Sequence, residues 1–519
     1  MITTAFLTKE EIMSIVPEFI EDVFNIDSER VNEQLKPMVD ILVDDMTFFI
    51  EYPYVDKFYR DSYYSFFSKK HNYNNRNSVR ISFFDISLES ENYFDTKQEE
   101  LDKLFLGYIS LRPTTYRIIG HSFVSPKALK NNGFVCCLSR KQALVNGRKI
   151  STHGFPYCSQ DNESITCSEA VIINLIDYFS HKYPEYSTIL PSQVVRILSK
   201  QSYQRQLPAH GLPTENISYV LKKLGFGTVV YSSDKKSKEP DIYESDDFKD
   251  LLYTYIESGI PVIATLSTKD NTSNHAVLVI GRLSLLDETA IKNKSRLPNG
   301  NKSFEFSKAF RKLLIMNDNR PPYDIVDYYQ PIKDEATQSF YQFKSFIVPL
   351  YSKVHLDAYQ FKQFFFLIID NFENDPETCF VKFTEPGKDY TYRFFLTSSR
   401  SYKNYIATSK DLSNDFKSIT INKSMPKFVW VGEIIAGNNV KIKQQVHSIV
   451  VVDATESGLT GHLIFATNSK HLIIRNSEYF LSENEQDSHD KKYQILEFEK
   501  EIFYTFENNL KGEHTKWQN

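Results

Sequence analysis

The stretch Ser159–Phe179, SQDNESITCSEAVIINLIDYF, sets a glutamine seven positions ahead of a cysteine and then runs apolar. Thr166 and Glu169 have the S/T-x-x-E spacing of a capping box, which predicts a helix beginning at Cys167. A thiol in a first helical turn meets orphan backbone N–H groups and the positive end of the helix dipole, and both favour thiolate over thiol. The same N–H groups can donate to an oxyanion forming on a substrate carbonyl, with the Gln160 side-chain amide as a second donor. Viewed alone, one cysteine reads first as a small buried hydrophobe, so the chemistry must be sought downstream.

The downstream partner lies in GIPVIATLSTKDNTSNHAVLVIGR, residues 259–282, where His275 opens a strand of Ala, Val, Leu, Val and Ile. Such a strand fixes the backbone of its first residues and suits a general base. A third strand, KLLIMNDNRPPY, leaves its sheet at Asn317, Asp318 and Asn319. Asp318 is placed to accept the Nδ1 hydrogen of His275, holding the tautomer and stabilising the imidazolium. Nucleophile and base remote in sequence, one on a helix and one on a strand, form the arrangement of a covalent acyl-transfer enzyme.

Gln160, Cys167 at a helix start, the His275 strand and a strand ending in Asp318, in that order, resemble the papain-like cysteine peptidase superfamily. The nearest likeness is to bacterial bacteriocin-processing, double-glycine-leader peptidase-like domains embedded in a larger protein. LPAHGLPTENISYVLKKLGFG adds a Gly-Leu turn before a helix ending in Leu-Gly, common in those relatives. The resemblance covers about residues 154–324. It implies a papain-like core, with the Cys helix packed on an antiparallel sheet bearing His and Asp. It further implies Gln160 as oxyanion donor, Cys167 as nucleophile, His275 as base and Asp318 as orienting acid. Asn317 or Asn319 can replace Asp318, as Asn does in papain. Ser168 follows the cysteine where relatives often carry Gly or Ala. His210, in the loop PAHGLP, is a candidate cleft residue. The expected activity is hydrolysis of a peptide or isopeptide bond, with no cofactor or metal. Transglutaminase-like transfer to an amine and an inactive binding module are the alternatives.

The rest of the chain sets the context. Its 519 residues exceed what one core usually serves. Helical patterns precede strand patterns in the middle third, which reads as segregated α+β and not alternating α/β. The expected organisation is an N-terminal α+β region over 1–150, with residues 1–75 mainly helical, the peptidase unit over 151–330, and a β-rich α+β region over 331–519. A hairpin is expected to turn at Asn146 and Gly147. Charged linkers are expected at SSDKKSKEPD and ENEQDSHDKKY.

A formal charge of -5 carries no electrostatic footprint for nucleic acid. Neither a signal peptide nor a bilayer-length apolar run is visible. Five cysteines without zinc spacing suit a reducing cytoplasm. The expected partners are a peptide or protein substrate and, through the flanking regions, a regulatory protein. Cys136, Cys137 and Cys158 read as packing residues, and Arg112 and Arg320 as braces of the cleft. Glu433, Asp453 and His447 form a weaker second acid/base or metal candidate.

Overall fold

Three large, mainly antiparallel sheets and a two-stranded one, with helices against them, make this a mixed α+β protein. The computed structural model describes residues 3–71, 75–85, 88, 90–202, 205–233, 245–284, 295–296, 302–334, 338–376, 378–385, 387–437, 444–457, 463–475 and 493–512. Most of the two charged linkers, 234–241 and 483–492, therefore lies outside the described residues.

The first sheet has seven strands, in the order Thr3–Leu7, Met46–Tyr54, Ser78–Asp85, Phe105–Leu111, Ser122–Val124, Arg148–Tyr157 and Ser139–Val145. Its last two strands are the expected hairpin, with Asn146 and Gly147 at positive φ of 42° and 78°. Residues 1–75 are not mainly helical throughout. Helices Lys9–Phe24 and Ser28–Asp40 are present, but Thr3–Leu7 and Met46–Tyr54 pair as strands. Met46–Ile50 is buried at five successive residues, so both faces are covered and the alternation that marks a strand is absent.

The second sheet carries the histidine. Its main order is Asp324–Asp327, Lys312–Met316, Asn274–Leu283, Val262–Thr268, Phe340–Tyr351 and Ile332–Lys333, while Phe226–Ser232 also pairs with Phe340–Tyr351. Strands from distant parts of the chain complete it. Phe134–Cys136 pairs with the far end of the His strand, and Lys511–Gly512 pairs with Phe134–Cys136. Gly281 makes that junction possible, because a Cβ there would lie 2.2 Å from the Val135 carbonyl oxygen.

The third sheet runs Ser295–Arg296, Lys302–Glu305, Tyr390–Ser398, Phe428–Ala436, Ser448–Asp453, Leu463–Asn468, His471–Arg475 and Tyr493–Glu497. One parallel pair, Lys302–Glu305 with Tyr390–Ser398, sits in it. A buried ionic bridge ties it to the His sheet: Glu257 accepts from Arg282 and Arg393, and Arg393 also donates to Glu433 at 2.9 Å. One continuous apolar core reaches all three sheets. Among the described residues, no helix is long and apolar enough to cross a membrane.

The helix Cys167–Lys182 is buried along nearly all of its first three turns, from Ser168 to Phe179. It packs between the His strand and the hairpin of the first sheet. Deep in that layer Asp177, fully buried, meets Lys141 at 2.8 Å and His121 at 3.2 Å. Burial pushes the Asp177 carboxyl up, but Lys141 and His121 outweigh it and hold its pKa well below the usual carboxylate range.

Candidate functional site

The helix begins at Cys167, as the capping spacing predicts, although its cap is built mainly by Glu169. That carboxylate accepts from the Thr166 backbone N–H at 3.0 Å and from the Thr166 hydroxyl. Upstream, Asp161 shapes the loop between Gln160 and the cysteine. Its Oδ1 accepts from the backbone N–H groups of Glu163, Ser164 and Ile165 at 2.9, 2.6 and 2.9 Å, and its Oδ2 from the Ser164 hydroxyl at 2.6 Å. Asn162 takes the left-handed φ of 60° that such a turn needs. Arg112 braces the loop from behind, donating to the Ser159 carbonyl at 2.7 Å. Arg320 braces the opposite wall through Asp324 and the Lys333 carbonyl.

The base arrives from the second sheet. Leu278 pairs with Met316, so the antiparallel register carried three residues further sets His275 beside the turn at Asn317–Asn319. That turn is anchored to the first sheet by Tyr323, whose hydroxyl donates to the Val124 carbonyl at 2.6 Å. Tyr323 has a φ of 64°, a strained value for an aromatic residue, and this bond with the Phe134 ring stack at 5.6 Å holds it there.

At the meeting point, His275 Nε2 donates to Asn317 Oδ1 at 2.9 Å and lies 3.4 Å from Asp318 Oδ1. The Cys167 side chain, whose sulfur lies 4.0 Å from Ser168 Oγ, acts on the same ring electrostatically. The nitrogen on the orienting side is thus Nε2 and not the expected Nδ1, and its nearer partner is Asn317. Burial alone would drive the His275 ring neutral. The hydrogen bond to Cys167, the Asp318 charge, the Cys167 charge and the Asn317 bond outweigh it and raise the pKa to about 10. Burial pushes the Asp318 carboxyl up, opposed by His275 and Arg117.

Gln160 enters this group indirectly. Its Nε2 donates to Asn319 Oδ1 at 2.8 Å, and the Asn319 N–H donates to Asn317 Oδ1 at 3.0 Å. The loop of His210 runs alongside the Cys helix, since Ser168 Oγ accepts from the Leu212 N–H at 3.1 Å and Ala209 N–H donates to the Glu163 carbonyl at 2.8 Å. His210 itself is exposed. Ser168 is therefore the residue that fastens this loop to the helix, a role its sequence position did not signal.

A cavity of about 1100 Å³ opens beside the ring. Its lining includes His275, Asn317, Asn319 and Tyr341 from the second sheet, with Gln34, Pro37 and Met38 from the helix Ser28–Asp40 on the facing wall. The N-terminal region thus forms part of the wall of this cavity, which its sequence did not announce; His275 lines it, whereas Cys167 and Gln160 do not.

The remaining candidates separate. Cys136, Cys137 and Cys158 are buried, the last in a cluster with Phe58, Ile165, Ala170 and Ile173. Glu433 is spent on Arg393 and the Phe506 N–H, Asp453 on the Thr455 N–H and hydroxyl, and His447 on Ser448. On their shared ladder Glu433 sits opposite Ile449 whereas Asp453 sits opposite Val429, so the strand register keeps them apart. Among the described residues, no group of three or more His, Cys, Asp or Glu side chains is disposed to hold a metal ion. Comparison of the chain with protein-family models and with curated proteins finds no match.

Proposed function

We propose that this chain is a cysteine hydrolase with a papain-like arrangement, cleaving a peptide or isopeptide bond through a thioacyl-enzyme. One observation supports the reading: Cys167, at a helix start, acts on a buried imidazole whose Nε2 is bonded to Asn317 and flanked by Asp318. With Nε2 committed to the orienting side, Nδ1 serves the sulfur. The reactive form is the thiolate facing the imidazolium.

The thiolate attacks the carbonyl carbon, and the C=O electron pair moves onto oxygen. Gln160 and a helix-start N–H receive that oxyanion. On collapse the C–N bond breaks, and His275 delivers its Nδ1 proton to the departing amine. Neutral His275 then takes a proton from water, hydroxide adds to the thioester carbonyl, and the carboxylate product leaves as the thiolate re-forms. The cavity beside the ring gives the departing segment room, with the helix Ser28–Asp40 as its outer wall.

The test is labelling with an electrophilic, peptide-like thiol probe, read by mass spectrometry. Wild type is expected to label at Cys167, Cys167→Ala not at all, and His275→Ala far more slowly. Labelling of Cys379 equal to that of Cys167, or undiminished labelling in His275→Ala, refutes catalysis and leaves a binding module.

A further inference from the structure

Two segments that never approach in sequence build the two halves of this site. Gln160 hangs on the loop between the strand Arg148–Tyr157 and the Cys helix, and Asn317 follows the strand Lys312–Met316. Asn319 joins them. Its side-chain Oδ1 accepts from Gln160 Nε2 at 2.8 Å across 159 residues of chain, while its backbone N–H donates to the same Asn317 Oδ1 that accepts the His275 Nε2 hydrogen bond. Outer contacts fix Asn319 in turn, from Arg117 to its carbonyl at 3.4 Å and from its Nδ2 to Asp334 Oδ2 at 3.4 Å.

We infer that Asn319 is a positioning residue: it aims the Gln160 amide at the oxyanion and keys that aim to the base. This rests on the hydrolase reading above and adds how its oxyanion donor is held. A glutamine side chain has three rotatable bonds, so an unheld amide spends little of its time in one donor geometry. A fixed Oδ1 acceptor takes one of its two N–H groups and leaves the other in a set direction. The bonds to Asn317 and Arg117 use the Asn319 backbone and survive substitution, so Asn319→Ala cuts the Gln160 contact and the longer one to Asp334 and leaves the base oriented.

The experiment separates steps that need an oxyanion from one that does not. Acylation of Cys167 by p-nitrophenyl acetate passes through a tetrahedral oxyanion, whereas alkylation by iodoacetamide does not. Both are followed in the full chain carrying Cys379→Ser, because Cys379 is the other cysteine that is not buried. Asn319→Ala is expected to slow the acylation burst at least about tenfold, as loss of an aligned oxyanion donor does, with iodoacetamide alkylation within about twofold. In a Gln160→Ala background the same substitution is expected to add nothing. Asn319→Asp, which keeps an acceptor oxygen, is expected to recover part of the rate and serves if the alanine variant folds poorly.

A normal burst in Asn319→Ala overturns the inference. So does an additive loss in the Gln160→Ala background, or an equal slowing of alkylation, which would mark a merely structural role. An undiminished burst in Cys167→Ala sinks the hydrolase reading, and this inference with it. A silent Cys167→Ala beside a normal Asn319→Ala sinks this inference alone.

Discussion

Asp318→Asn separates charge from geometry at the base. Asp318 Oδ1 lies 3.4 Å from His275 Nε2 with both side chains nearly closed to solvent. At an effective dielectric of about 20, two unit charges at that distance attract by about 5 kcal/mol. One pKa unit corresponds to about 1.4 kcal/mol, so this attraction is one substantial cause, after the Cys167 hydrogen bond, of the stabilised imidazolium. The asparagine keeps the shape and removes the charge. We expect the His275 pKa, held at about 10, to fall by at least about two, and by up to about 3.5 if the whole attraction is lost.

Asn317→Ala removes instead a hydrogen bond to a charged donor, an interaction worth about 1.5–3 kcal/mol. It should lower the pKa by only about one to two units, while freeing the ring to turn. The assay is NMR titration of the labelled ring from about pH 5 to 11, with His275→Gln identifying the resonance. The reasoning is refuted if Asp318→Asn leaves the titration within roughly half a unit of wild type, or if Asn317→Ala moves it further.

Folding should depend on pH through the same residue. Its folded pKa lies above the unfolded value of about 6.5, so the stability it contributes is complete below that pH and lost as pH climbs to about 10. Denaturant midpoints over that window should decline in wild type and stay flatter in His275→Gln. Asp177→Asn leaves the buried Lys141 ammonium without its carboxylate, and a loss of about 3–5 kcal/mol in urea unfolding is expected. Because the Asp177 pKa is depressed, its contribution is present above about pH 3.9 and lost as pH falls through the lower folded value. Asp161→Ala orphans three loop N–H groups, and protease cleavage between Gln160 and Cys167 should accelerate before global unfolding does. Gly281→Ala should destabilise the His sheet, since its new methyl meets the Val135 carbonyl; an unchanged unfolding midpoint would contradict that packing.

What the sequence made legible follows the range of the forces involved. The start of the Cys helix was readable because a capping box is complete within four residues, Thr166 to Glu169. The His strand was readable because six successive residues, Ala276 to Gly281, are buried and apolar or small enough to pack, between His275 and Arg282. The orienting residue was not readable in the same way. Asn317 and Asp318 are neighbours, and which one meets Nε2 at 2.9 Å and which stands at 3.4 Å is decided by the ladder that pairs Leu278 with Met316. A one-residue shift in strand register would exchange them, and no local pattern encodes it. The N-terminal strand Met46–Tyr54 escaped for a related reason: covered on both faces, it shows no period.

The bond from Gln160 to Asn319, which the sequence offered only as an alternative orienting residue, and the helix Ser28–Asp40 escaped because these partnerships are made by the fold alone, one joining the two segments and the other walling the cavity beside His275. Residues that carry charge or nucleophilicity announce themselves by type. Those that aim them are ordinary amides and apolar side chains, whose role exists only once the two sheets have brought the loop of Gln160 and the turn of Asn317 together. A substitution scan confined to titratable residues would therefore find the base and the nucleophile, and would leave unexplained why the site needs both sheets.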